Sequence, residues 1–559
     1  MNDWITFGAI AAPAAFALVA ITATRRPGAD RDGRVGAAGG IASVVAIVVA
    51  ATAALATAVA GETTSPTLGI DGVGLSIRLD ALSVTMLLMI AILAAVVFRY
   101  SRTYLDGDDR KASFLGRLAA TIAAVELMVI AGNLFVLVAA WLATSLALHT
   151  LLVFHKDRPR AMVAARKKFI AARIGDAFLV VAAVLLYRHA GTGDLGAVFQ
   201  SVATEVPRWS FSSVDVAAMC LAIAAALKAA QFPTHGWLVE VMETPTPVSA
   251  LLHAGILNAG PFLAIRMAFV LDGSRGATTL LLLIGGVTAA FASVALLTQP
   301  SVKVALAYSS AAHMGFMLMV CGMGLYPAAL LHLVAHSFYK AHAFLSSGSV
   351  IDERRAAGVA LPRRLGSPVR ILASAAVAIA FYLPLALVWG LDLGGEPVLI
   401  AVGGILVLGT TQLIAPALDS NGPWVGAARA ALMALGVTLS FFVLEAGAHR
   451  LLTDVVPELT SRDGIQLALI GTVLAVFTAV VALQIVEPAR AATSRRRSIA
   501  IHMRNGLYAN AVYDRLIGAL RTTPAAGPAT VDDLEPPDQQ LDDRPLTAAS
   551  PAPMEPTWN

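Results

Sequence analysis

The chain has 559 residues, 57% hydrophobic and 14% charged, with a mean hydropathy of +0.75. Soluble domains carry about 25% charged residues, so an ordinary soluble globule is excluded and a polytopic membrane protein is indicated. The net charge of +4 and the pI near 9.1 fit basic loops at a membrane surface rather than nucleic-acid binding. The two cysteines, Cys220 and Cys321, sit inside apolar runs and imply neither a disulfide framework nor a metal site.

Apolar runs of about 20 residues, the length that spans a bilayer core, recur along the chain. They predict an all-α membrane protein with about 15 transmembrane helices, centred near residues 14, 48, 89, 123, 143, 178, 222, 258, 287, 312, 337, 380, 407, 437 and 476. The first run, Trp4 to Ala23, lacks a basic leading region and is expected to be a retained helix, not a cleaved signal. With the N-terminus outside, the inner loops collect Arg25, Arg26, Arg31 and Arg34, then Arg99, Arg102, Arg110, Lys111 and Arg117. Lys156 through Arg173, Arg354 through Arg370 and Arg490 through Arg504 fall on the same side. Outer loops hold little beyond Arg78, Arg188, Arg208, Arg275, Arg450 and Arg462, which is the asymmetry of the positive-inside rule. This is expected to put the C-terminus on the cytoplasmic side.

Residues 1–115 hold three N-terminal helices and residues 426–490 the C-terminal ones. Residues 491–521 form a basic, amphipathic cytoplasmic segment, in which Asn505 to Leu520 is read as a short helix on the membrane surface or as a solvated linker. From Thr522 to Asn559 the chain is rich in Pro, Ala and acids and is expected to be a disordered tail.

Ionisable groups at membrane depth cost several kcal/mol unless they face protein or water, so each is a functional candidate. In LLHLVAHSFYKAHAFL, His332, His336 and Lys340 share one helical stripe, while His342 falls on another side. The stripe covers about 12 Å of helix. The stretch LKAAQFPTHGWLVEVMETPTPVSALLHAG places Lys228 late in one apolar run and His253 in the next. Pro233, Pro245 and Pro247 lie between and predict a broken helix, tolerated at membrane depth only beside protein or water. Burying an ammonium disfavours its charged form, which suits a group that must release a proton; the bland alternative is a lysine that snorkels. Glu126 is either a partner for Lys228 or a helix-packing hydrogen-bond group. Lys303 and His313 extend a polar path, unless Lys303 snorkels from its helix start. Arg173 and Asp176, spaced i,i+3, are read as a structural ion pair. No P-loop, dinucleotide fingerprint, CxxC cluster or nucleophile elbow is present, so no cofactor or metal is expected in this chain and no catalytic residue is assigned.

The run KAAQFPTHGWLVEVMETPTPVSALLHAG, with QPSVKVALAYSSAAHMGFM and ALLHLVAHSFYKAHAFLSSGSV, resembles the antiporter-like subunits of respiratory complex I and Mrp antiporters. The resemblance implies two inverted five-helix repeats with broken helices, over 116–270 and 271–425, and proton translocation along buried Lys, His and Glu. It puts Lys228 at the family's broken-helix lysine and His253 at the histidine of the following helix. His332, His336 and Lys340 take its central connection, and Arg173 and Asp176 its Arg-x-Gly-Asp. Two departures stand out. Where complex I subunits have Trp-Glu, this chain has Trp141 and Leu142, and RILASAAVAIAFYLPLALVWGL lacks the second-repeat lysine. With AHSFYKAHAFLSSGS, LLHAGILNAG, WLATSLALH and a shorter C-terminal region, the chain is more similar to the membrane subunits of DAB-type inorganic carbon accumulation systems. That resemblance implies a large peripheral partner on the cytoplasmic side, similar to a zinc carbonic anhydrase and carrying the zinc. It also implies cation flux coupled to CO2 hydration. An antiporter-like subunit of complex I, of a related hydrogenase or of a Mrp-type Na+/H+ antiporter is the alternative, and a non-conducting membrane anchor is a third reading.

Overall fold

Inside a bilayer the backbone has no water to bond, so it closes its hydrogen bonds within helices, and helices account for most of the described residues. The computed structural model describes residues 3–24, 31–155, 158–203, 211–348, 368–390, 397–419, 424–460, 462–486 and 494–517. The predicted tail from Thr522, and Arg25, Arg208, Arg354 and Arg490 of the charge pattern, lie outside these residues.

After a short turn of helix at Asp3–Ile10 come α1 (Ala11–Thr24) and α2 (Arg31–Ala60). Two small antiparallel pairs follow. β1 (Thr63–Thr64) pairs with β4 (Arg78–Leu79), enclosing the hairpin of β2 (Leu68–Ile70) and β3 (Val73–Leu75). The hairpin turns on Asp71 and Gly72, both at positive φ, as a tight two-residue loop demands. The chain then enters α3 (Ala81–Tyr104), α4 (Lys111–Val129), α5 (Leu134–Leu152), α6 (Pro159–Ala190), the short α7 (Leu195–Ala203) and α8 (Ser213–Lys228). Asp80 caps α3, Asn133 caps α5, and Ser212 with Asp215 forms a capping box on α8.

Beyond α8 the helix is broken. The short α9 (Gly236–Glu240) and a 3-10 turn at Val241–Glu243 form before α10 (Thr246–Leu251), which continues through a π turn at Leu252–Ile256 into α11 (Ala259–Arg266). The freed backbone is re-satisfied locally: the Phe232 N–H donates to Thr288 Oγ1 at 3.0 Å, and Gln231 Nε2 donates to the Ala229 carbonyl at 2.9 Å. Pro233 lies within the break, Pro245 just before α10 and Pro247 in its first turn, where a missing N–H costs nothing. Then come α12 (Ala268–Asp272), α13 (Arg275–Leu297), α14 (Val302–Gly322), α15 (Tyr326–Leu345), α16 (Pro368–Val388), α17 (Pro397–Asp419), α18 (Trp424–Leu452) and α19 (Gly464–Val486). α16 and α17 run continuously through Pro384 and Pro416.

Thirteen helical spans among the described residues are long and apolar enough to cross a membrane. The expected centres near 222 and 337 fall in α8 and α15, which are outside that set. α8 has only 16 residues, and α15 carries three histidines and a lysine. Burial ranks the spans. In its most apolar stretch Thr246–Arg266 is 94% buried, against 17% for the spans of α16 and α19. The broken helix is therefore the centre of the molecule.

Salt bridges pin the end of the bundle opposite the basic loops. Arg266 of α11 pairs with Asp80 and donates to Ser83 Oγ at 2.6 Å; Arg78 bridges Asp80 at 2.9 Å and Glu62 at 2.7 Å. Burial pushes the Asp80 carboxyl up, but Arg266 and Arg78 outweigh it and hold it well below the usual range. Partial burial outweighs the pull of Arg78 on Glu62 and raises that carboxyl.

At the other end, α20 (Ser494–Arg504) leads into α21 (Ala509–Ile517). The stretch read as a surface helix or a solvated linker holds α21, which contacts the bundle. Asn510 Nδ2 donates to Glu240 Oε1 at 2.5 Å, and Lys167 Nζ lies 2.6 Å from the same carboxylate while also pairing with Asp514. A Cβ on Gly236 would meet Asn510 Oδ1 at 1.9 Å, so the close approach needs glycine there.

Candidate ion pathway

Lys228 ends α8, where the helix carbonyls favour a cation. It is buried, its Nζ has no hydrogen-bond partner among the described residues, and it lies 4.2 Å from the centre of the Trp141 ring. The indole Nε1 of Trp141 donates to Asp176 Oδ1 at 2.8 Å, and Arg173 Nη2 sits 2.5 Å from Asp176 Oδ2. Asp176 is the carboxylate that attracts Lys228, and Arg173 opposes it. The Arg173–Asp176 pair is thus part of the lysine site. Among the described residues, Glu126, fully buried on α4, has neither carboxylate oxygen paired, and no charged group acts on it.

Sequence reasoning missed two features here. Trp141 was noted only for the leucine after it, although a buried indole must place its N–H somewhere. Lys168 was counted with the inner basic loops, yet it is 4% exposed, and its Nζ donates to the Ser145 carbonyl at 2.7 Å and to Ser145 Oγ at 3.3 Å. Lys168 and Lys228 line one cavity with Trp237, Leu252 and Leu257, in which a water's centre has about 20 Å³ to move. That is room for about one water.

His253 stands in the π turn, a helix irregularity common at functional sites. It is fully buried, stacks on Phe344 with ring centres 4.3 Å apart, and has no partner at either ring nitrogen among the described residues. Asn258 fixes the turn against α15 by donating to the Ala254 carbonyl and to Ser337 Oγ, both at 2.7 Å.

On α15, His332, His336 and Lys340 line up, and His313 of α14 joins them. His313 Nδ1 and His332 Nε2 are 2.9 Å apart; the His313 and His336 rings are centred 5.1 Å apart, and His332 and His336 6.4 Å. Lys340 Nζ donates to the Leu306 carbonyl at 3.2 Å, and its charge reaches His253, His313 and His336. Among the described residues no carboxylate acts on these four histidines or on Lys340. Lys303, one turn before Leu306, donates to Thr246 Oγ1 at the start of α10 with a separation of 3.3 Å. His342 is exposed, off the row. Among the described residues no group of three or more His, Cys, Asp or Glu side chains is placed to hold a metal ion.

The arrangement is a discontinuous line of protonatable groups through the best-buried part of the bundle. Its gaps are wider than a hydrogen bond, so transfer along it needs bridging water.

Comparison with known proteins follows the same regions. Residues 131–386 match the family described as "NADH:quinone oxidoreductase/Mrp antiporter, TM", and residues 70–115 match "NADH-Ubiquinone oxidoreductase (complex I), chain 5 N-terminus". The chain is 39% identical over 457 residues to "Probable inorganic carbon transporter subunit DabB2" of Halothiobacillus neapolitanus, covering 80% of this chain and 81% of that one. With "Probable inorganic carbon transporter subunit DabB" of Hydrogenovibrio crunogenus it shares 40% identity over 370 residues, 65% of this chain and 68% of the other. Identity to NADH-quinone oxidoreductase subunit L of Rhodobacter capsulatus is 34%, over 49% of this chain and 41% of that protein. The fold is similar to that of a chain in the Mrp complex from Dietzia sp. DQ12-45-1b, with a TM-score of 0.56 and 22% identity, over 93% of this chain and 60% of that one.

Proposed function

Because this chain belongs to the DabB family of inorganic carbon transporter subunits, within the antiporter-like proteins of complex I and Mrp, we propose that it conducts protons for an inorganic carbon uptake complex. In this reading the flux is coupled to hydration of CO2 to bicarbonate. A peripheral subunit similar to a zinc carbonic anhydrase, docked on the cytoplasmic side of the bacterial inner membrane, supplies that chemistry and its zinc. The observation that carries the proposal is the row His332, His336 and Lys340, joined by His313 and acted on by no carboxylate among the described residues. Groups so placed serve no ion pair, and buried ionisable groups are retained where ions or protons move.

The path runs from Lys228 past His253 to the row on α15, with Asp176 as the acid of the lysine site. Leu142 removes the acid that complex I subunits carry beside the tryptophan; an aspartate on α6 supplies one through the Trp141 N–H instead. The match to subunit L supports a second reading, a proton-pumping subunit of a respiratory complex or a Na+/H+ antiporter. Proton flux into liposomes holding the full-length protein tests conduction: wild-type rates in a His336→Ala, Lys340→Ala double variant would end it. Purification from native membranes tests coupling. A zinc-containing carbonic-anhydrase-like protein should come down with this chain, whereas a set of quinone-oxidoreductase subunits would support the second reading.

A further inference from the structure

The proton path above leaves out a buried amine. Lys168 is deep in α6, and its hydrogen bonds go to a single residue, Ser145, whose carbonyl the α5 helix already engages. An ammonium has three donors, so two are accounted for there. It shares with Lys228 a cavity sized for about one water, and Lys228 Nζ has no partner among the described residues. The charges facing the pair are Arg173 and Asp176 from α6 and His149 from α5. Three cationic groups and a histidine thus share a single acid. Two ammonium groups lining one small cavity repel in a weakly screening interior, so a proton on either lysine disfavours one on the other.

We propose that Lys168 is a second proton carrier, forming with Lys228 a relay across that cavity; the inference rests on the proton-conduction reading. A cavity water accepts a proton from the Lys168 ammonium and passes one of its own to the neutral Lys228 amine. Charge and atoms balance, and no other reactant is needed. The supply side is His149, one turn from Ser145, half-buried and with its ring centre 4.9 Å from that of Phe169, tilted against it. It stands toward the end of α5 that meets the basic loops.

The test compares Lys168→Gln, Lys168→Arg and Lys228→Gln in the full-length protein in liposomes, with proton flux and thermal midpoint as readouts. Glutamine keeps a donor for Ser145 and arginine keeps the charge, so a structural anchor or a fixed cation survives in one or the other. A relay survives in neither, because an amide carries no proton and a guanidinium does not release its own. Both Lys168 variants should lose at least tenfold in flux with the midpoint kept. Wild-type flux in either overturns the relay; if one variant fails to assemble, the other decides. Should Lys228→Gln abolish flux while the Lys168 variants conduct normally, only this inference falls. Normal flux in Lys228→Gln takes Lys228 out of the proton path and removes the proposed route as well as the relay.

Discussion

Around Lys228 there is an acid, and it reaches the lysine by way of Trp141, whose face meets the ammonium and whose N–H holds Asp176. Around Lys340 there is none; the ammonium rests on the Leu306 carbonyl, with histidines in reach of its charge. An anion beside a lysine stabilises the charged form and holds the proton. A row of neutral-or-cationic groups without an anion holds it weakly and passes it on. In the proposed path the two regions would divide the work, the first storing and releasing a proton and the second carrying it. With Leu142 where complex I subunits carry a glutamate, Asp176 is the acid that remains beside Trp141.

The largest expected effect breaks the carrying side. Replacing His336 and Lys340 together by Ala should lower liposome proton flux by about 100-fold or more, the scale of losing a positioned acid–base group. Next, Asp176→Asn should cost about tenfold, equivalent to about 1.4 kcal/mol of lost interaction with the lysine. Adding Leu142→Glu to that variant should return part of the flux, because the second acid would stand beside Trp141; no recovery would contradict the storage role. Glu126→Gln, which touches no charged group, should stay within about twofold of wild type in the same assay, and a tenfold loss would put Glu126 back beside Lys228.

Away from both regions, Asp80→Asn should leave flux through any folded protein intact but lower its thermal midpoint. It leaves Arg266 and Arg78 without their shared carboxylate, a change worth about 3–5 kcal/mol for a buried pair. The sign with pH follows from a carboxyl held below its ordinary value. Its contribution is full above about pH 4 and fades as pH falls through the depressed folded value. The midpoint difference between wild type and Asp80→Asn should therefore be constant at neutral pH and shrink only in strong acid.

Composition and run length alone determined the membrane class and where most of the spans lie, because a bilayer leaves the backbone few solutions. The stripe of His332, His336 and Lys340 was equally legible, since helical periodicity is a local property. His313 came forward from sequence only as a possible extension, because α14 and α15 meet in space and not in the chain. The break around Pro233 and Pro245 was readable from the prolines, while the π turn under His253 was not. What only tertiary structure decided is which acid serves Lys228. Asp176 looked like the self-contained partner of Arg173 until packing put Trp141 between it and the lysine. The same packing turned Lys168 from a loop cation into a buried one and drew Asn510 and Asp514 onto Lys167 and Glu240. Electrostatic partners in a helical bundle are chosen by which helix faces which, and no spacing within one helix contains that information.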